Sequence, residues 1–266
     1  MKPYTYLLIN LATVIICFAF SFHPKIKFNR HFLSFLKASV LVALPFVVWD
    51  SYFTAAGVWW FNEDYTMGWN FMKLPLEEWL FFICIPFACI FTYYCLEKFF
   101  DLGWANAFNN IIVFVICVFL VLIAMVHHDR MYTFFTALVV SAVLLYLHFF
   151  AESEWIGHAT FVYIILLPGF FLVNGLLTGS GLESPIVNYN ESHFLGLRII
   201  TIPVEDAFYG YSLFMMNVYF FNRGRKGSVY ESARINRNAQ RHFENRGFSQ
   251  TNRPYPSNKN VALKTK

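Results

Sequence analysis

Long apolar segments alternate along this chain with short polar connections, and their lengths are those of membrane spans. A hydrocarbon core about 30 Å thick takes roughly 20 apolar residues in helical form. Seven segments have that length: Tyr4–Phe22, Leu33–Trp49, Glu77–Leu96, Ala107–Val126, Tyr132–Phe150, Ala159–Leu177 and Ile199–Phe221. The third and seventh begin beside paired carboxylates. In the sixth, Pro168 and Gly169 predict a kink. After residue 221 the apolar pattern stops and Arg, Asn, Ser and Gln take over, which predicts a disordered tail. The pattern predicts an all-α integral membrane protein with about seven transmembrane helices.

The polar positions repeat. Phe61-Asn62, Gly68 and Pro75-Leu76-Glu77-Glu78 recur as Tyr189-Asn190, Gly196 and Pro203-Val204-Glu205-Asp206, each pair 128 residues apart. Asp50 and Thr54 pair with Asn174 and Thr178 at a spacing of 124, so four extra residues lie between in the second copy. Helices 1–3 then match helices 5–7, and helix 4 is an extra link. Four spans separate equivalent helices, and an even number returns the chain to the same side. Both carboxylate motifs therefore face one leaflet and can converge, which predicts a parallel internal repeat with a shared site. The expected division is a first repeat over 1–106, a linking helix over 107–130, a second repeat over 131–222 and a basic tail over 223–266.

Composition agrees. The chain is 58% apolar, 21% aromatic and 14% charged, whereas soluble domains carry roughly 25% charge. The first apolar segment is long enough to be a span and lacks a small-residue cleavage site, so it reads as a helix and not as a cleavable leader. Eleven Lys and Arg against two acids, Glu231 and Glu244, make residues 222–266 basic. Lys25, Lys27, Arg30 and Lys98 fall on the same side as that tail, and Lys2, Lys73, Arg130 and Arg198 on the other. The positive-inside rule predicts an N-terminus outside and a cytoplasmic C-terminus in the cell membrane. The tail reads as a topology signal that touches anionic lipid, with no nucleic-acid partner expected. Trp49, Trp59, Trp60, Trp69 and Trp79 read as an interfacial aromatic belt.

A proline followed by acids is an ordinary helix start, and Glu77, Glu78, Glu205 and Asp206 need do no more than cap. Carboxylates beside hydrocarbon are costly, however, and their duplication and convergence favour chemistry. Adjacent helical residues point about 100° apart, so one acid of each pair can face a site while its neighbour supports it. A protonated acid in one repeat and an ionised base in the other make a proton donor and acceptor. Other chemistries lack support. Gly179-Ser180-Gly181 is not a dinucleotide fingerprint, His127-His128 is an isolated pair, helix 7 has no lysine for a Schiff base, and no aspartate-rich cluster would hold a diphosphate. Cys17, Cys84, Cys89, Cys95 and Cys117 lie in apolar segments and read as packing residues. No metal and no cofactor are expected.

These residues resemble the membrane carotenoid cyclases of the heterodimeric and fused type, which convert lycopene. The resemblance rests on Asp50, Thr54, Gly57-Val58-Trp59 and Pro75-Leu76-Glu77-Glu78 in the first copy. In the second it rests on Asn174, Leu177-Thr178-Gly179, Tyr189-Asn190 and the run Pro203 to Gly210 that contains Glu205, Asp206, Phe208 and Tyr209. It covers about residues 1–221, with Asp206 standing where the first copy has Glu78. It implies closure of the open ends of lycopene, or of a related linear carotenoid, into rings without net redox change. A terminal double bond is protonated, an internal one attacks the cation, and proton loss gives a β-ring, or an ε- or γ-ring if another carbon is deprotonated. In this reading Glu77 and Glu205 carry the proton and Glu78 and Asp206 tune them. Trp59, Trp60, Trp69, Tyr189, Phe208 and Tyr209 face the cation, and Asp50, Thr54, Asn62, Pro75, Asn174, Thr178, Asn190 and Pro203 support the site. Membrane lipid and other carotenoid-pathway enzymes are candidate partners. The competing readings are a cyclase of C50 or modified carotenoids, a non-enzymatic carotenoid or lipid carrier, and a proton-coupled transporter.

Overall fold

A computed structural model describes residues 2–225, so the basic tail lies outside the described residues apart from its first few positions. The helices are α1 (Thr5–Ser21), α2 (Phe32–Ala55), α3 (Leu76–Phe99), α4 (Asn109–Val126), α5 (Met131–Leu145, extended by a π-turn at Tyr146–Phe150) and α6 (Ile156–Leu177). A further helix, α7, covers 204–225. Among the described residues, six helices are long and apolar enough to cross a membrane. Their outward faces carry exposed Leu8, Ile15, Phe114 and Leu122, as contact with lipid requires.

Three boundaries differ from expectation. α2 runs on past Trp49 to Ala55, which puts Asp50 and Thr54 on its final turns. α7 begins at 204 and not at Ile199, because the preceding residues form a hairpin. α6 continues through Pro168 from Ile156 to Leu177; a proline inside a membrane helix is tolerated where neighbouring groups satisfy the freed carbonyl.

The hydropathy pattern gave no sign of the short strands at the helix mouths: β1 (Trp59–Phe61), β2 (Asn70–Phe71), β3 (Leu74–Pro75), β4 (Val187–Tyr189), β5 (Arg198–Ile199) and β6 (Ile202–Pro203). Non-helical backbone near a membrane must find hydrogen-bond partners, and these ribbons supply them. β2–β3 pairs Asn70 with Pro75, and β5–β6 pairs Arg198 with Pro203, each partner 128 residues on. The turns agree: Gly68 and Gly196 have φ of 79° and 78°, and Met72 and Ile200 have φ of 52° and 60°. Leu76 N–H donates to Trp69 O at 2.8 Å, and Val204 N–H to Leu197 O at 3.0 Å, so both helices start from the same brace.

β1 and β4 join the two copies. They pair antiparallel, Trp59 with Tyr189, Trp60 with Asn188 and Phe61 with Val187. Trp60 and Asn188 are themselves 128 apart, so the ribbon is centred on positions that match in the two sequence copies. Flanking bonds follow the same rule: Asn62 N–H donates to Ile186 O and Asn190 N–H to Val58 O, both at 2.8 Å. Beneath the ribbon, Phe53, Val58, Trp59, Tyr132 and Phe194 form one buried cluster, and Val42, Phe46, Val47, Leu74, Phe82 and Leu213 form another between α2, α3 and α7. Trp59 thus belongs to the interior and not to the aromatic belt.

Candidate functional site: buried carboxyls at an apolar cavity

The hairpins deliver their acids into the protein. Pro75, in extended conformation (φ −64°, ψ 152°), is the N-cap of α3, and the two acids follow within its first turn. Glu77 is fully buried, and Asp50, Glu78, Glu205 and Asp206 expose 6% or less. Lys2 pairs with Glu183 and Asp64, and Arg130 with Asp129, all at the surface and away from these acids. The buried acids are held by hydrogen bonds instead, as burial requires.

The two acids of each pair do different things. Glu77 Oε1 accepts from the backbone N–H of Met67 at 2.7 Å, and Glu205 Oε1 from that of Leu195 at 2.8 Å, again 128 residues on. Glu205 Oε1 also accepts from Thr133 Oγ1 at 2.6 Å. These two acids tie each hairpin loop to its helix, and neither lines the cavity.

Their neighbours do line it. Glu78 and Asp206 open onto a cavity of about 340 Å³ bounded by α1, α3, α6 and α7, with Asp50 beside them. Tyr6 donates its hydroxyl to Glu78 Oε2 at 2.5 Å, and Tyr209 donates to Asp50 Oδ1 at 2.8 Å. Asp50 and Glu78 border the same end of the cavity, each accepting from a tyrosine hydroxyl. Asp206 accepts on both oxygens, from Tyr132 at 2.6 Å and Tyr189 at 2.9 Å. One cluster therefore sets two acids, each with one phenol, on the cavity, and the other presents a single acid that accepts from two phenols. Burial, and secondarily Asp206, push the Tyr189 hydroxyl well above its ordinary titration range, so it stays a donor.

The other expected residues divide. Trp59, Tyr189 and Tyr209 line the cavity, and Trp59 meets Tyr132 edge-on at 5.1 Å. Trp60 and Trp69 are 50% and 73% exposed and lie away from it, because they sit on the outer side of the ribbon and at a turn. Phe208 packs near Phe119 on the far side of α7. Asn174 and Thr178 line the cavity, with Thr178 Oγ1 bonded to Asn174 O at 2.8 Å; Thr54 does not line it. Asn62 accepts from Asp64 N–H and Asn190 from Ser192 N–H, both at 3.1 Å, so they fix turns. Pro75 and Pro203 close the hairpins. The tyrosines Tyr6 and Tyr132 were missed; they are 126 residues apart, near the starts of the first and fifth apolar segments, and that near-repeat was their signal. Among the described residues no three His, Cys, Asp or Glu side chains converge to hold a metal ion.

The fold and site define a helical membrane protein in which buried acids and phenols open onto a cavity walled mainly by hydrocarbon and aromatic rings. The family model for lycopene cyclase matches the chain twice, over residues 3–96 and 129–223. The chain belongs to the lycopene cyclase family, with two cyclase regions in one polypeptide and α4 falling largely between them. No curated protein and no solved structure matches it.

Proposed function

We propose that this protein closes the acyclic ends of lycopene, or a related linear carotenoid, within the membrane by proton transfer through a carbocation, with the β-ring as product. It does so as a parallel repeat of three helices each, α1–α3 and α5–α7, linked by α4, with seven spans, an outer N-terminus and a cytoplasmic C-terminus. The observation that carries the reading is the pairing of Asp50–Glu78 with Asp206 on one apolar cavity.

The division of hydrogen bonds supports a division of roles. In this reading the Asp50–Glu78 pair carries the proton that is added to the terminal double bond of the substrate, leaving a tertiary cation. The electrons of an internal double bond attack that cation, and a carbon–carbon bond closes the ring. A ring proton then passes to Asp206, which its two phenols hold as an acceptor. Atoms and electrons balance, the formula is unchanged, and the proton returns from Asp206 to the Asp50–Glu78 pair before the next cycle. Trp59 and Tyr189, which line the same cavity, face the developing cation, each such ring contributing about 1–2 kcal/mol when desolvated. Glu77 and Glu205 serve as loop ties, which reverses the division of labour expected from the motif.

The test is pigment analysis of lycopene-accumulating bacteria that express the chain, beside Glu78→Gln, Asp206→Asn and Glu77→Gln variants at matched membrane levels. Cyclic products from the wild type, lost in the first two variants and retained in the third, are expected. Unaltered lycopene with well-inserted wild-type protein would defeat the reading for this substrate.

A further inference from the structure

The cavity opens on one flank of the molecule, and the equivalent flank is sealed. α3 turns Ile85, Ala88 and Thr92 toward it along one helical face, and α6 turns Gly169, Leu172 and Val173. All six retain partial or full exposure, Leu172 as much as 68%, and nothing lies within 4 Å of where a Cβ on Gly169 would stand. The two faces border a slit that reaches from the bilayer side to the carboxyls.

The repeat spacings of 128 and 124 carry these positions onto α7 and α2. Ile85, Ala88 and Thr92 correspond to Leu213, Met216 and Phe220, and Val173 corresponds to Trp49. On that flank the space is filled. Trp49 lies 5.0 Å from the Tyr209 ring and Phe46 lies 5.1 Å from it, and Met216 and Phe220 pack onto the cluster of Val42, Phe46 and Leu213. Three equivalent positions thus exchange a large side chain for a small one: Trp49 for Val173, Met216 for Ala88 and Phe220 for Thr92.

Building on the proposed function, we infer that the slit between α3 and α6 is the route by which a linear carotenoid end slides from the bilayer to the carboxyls. Val173, Ala88 and Thr92 keep it open by being small. The slit is apolar, it is continuous with the acid site, and a hydrocarbon chain longer than the cavity must leave it through an opening of this kind.

Leu172 and Val48 are equivalent by the repeat and similarly exposed, at 68% and 59%. A photo-crosslinking benzoylphenylalanine placed at either position, in membranes loaded with lycopene, tests the route without requiring turnover. Lycopene adducts at 172 and few at 48 are expected; equal adducts, or none at 172, would overturn the route even if the wild type cyclises lycopene. Conversely, adducts at 172 with no cyclic product would preserve the route and sink the proposed function. As a second measure, Ala88→Met and Val173→Trp import the residues of the sealed flank. They should cut conversion about tenfold or more, at unchanged membrane level and heat stability, while Val48→Trp on the sealed flank retains it. Full activity in a stably inserted Ala88→Met, Val173→Trp double variant would also overturn the route.

Discussion

Tyr209 on α7 donates a 2.8 Å hydrogen bond to Asp50 on α2, joining the second copy of the motif to the first through the site itself. Phe46 and Trp49 hold the Tyr209 ring in place from α2. A hydrogen bond to an acid is worth about 1.5–3 kcal/mol. Tyr209→Phe should therefore slow cyclisation by roughly 10- to 100-fold while leaving the protein folded, since the ring contacts remain. Rates of lycopene loss in isolated membranes measure this, and an unchanged rate would remove Asp50 from the mechanism.

The two acids of each motif should separate by experiment. Glu78→Gln and Asp206→Asn are expected to lower the rate by about 100-fold or more, the usual scale for losing an acid or base. Glu77→Ala instead leaves the part-buried Met67 N–H without its acceptor, a loss of about 1 kcal/mol in stability. Glu77→Gln retains an acceptor oxygen and should be close to wild type in both respects. Heat-inactivation curves alongside rates distinguish the cases; a dead but fully stable Glu77→Gln protein would return the proton to Glu77.

Tyr189 bears on pH dependence. Its ordinary value of 10.0 is raised, by burial first and by Asp206 next. A raised value in the folded protein means that the protonated phenol contributes fully below pH 10.0 and is lost only as pH climbs through the higher, folded value. Tyr189→Phe should lower the rate yet leave the shape of the pH–rate profile unchanged from neutrality to pH 10.0. A wild-type alkaline decline below that point, abolished in Tyr189→Phe, would show that the phenol titrates earlier.

Trp59 stands edge-on to Tyr132 at 5.1 Å, with Tyr189 at 6.1 Å. Trp59→Leu keeps an apolar wall and removes a ring worth about 1–2 kcal/mol to a desolvated cation, so a roughly 5- to 30-fold slower reaction is expected. Product analysis should also show a shifted ratio of ring isomers if Trp59 steers the cation before proton loss. An unaltered rate and ratio would place Trp59 in packing alone.

Six of the seven expected spans were legible because a membrane helix is written as a run of apolar residues, and the carboxyls because the motif occurs twice. Which acid of each pair faces the cavity was not legible. That depends on helix rotation, set here by the bonds from Met67 and Leu195 to Glu77 and Glu205, and a sequence does not display those partners. Tyr6 and Tyr132 were hidden by abundance: among 15 tyrosines and 33 phenylalanines, two more aromatic rings carry little signal. Asp50 stood out only as the counterpart of Asn174, because its place with Glu78 on the cavity arises from the packing of α2 beside α3. The two-residue strands are too short to show a period.

The β1–β4 ribbon bonds the two halves to each other by backbone groups at equivalent positions, independently of the peptide that links them in sequence. Covalent continuity between α3 and α4 is then expected to be dispensable. Cutting the chain between Phe100 and Asp101 and expressing the pieces together should yield two polypeptides that find each other in the bilayer, co-purify and regain activity. Substituting Trp60 by proline, which strips a backbone donor from the middle of β1, should make that reunion fail before it harms the uncut chain.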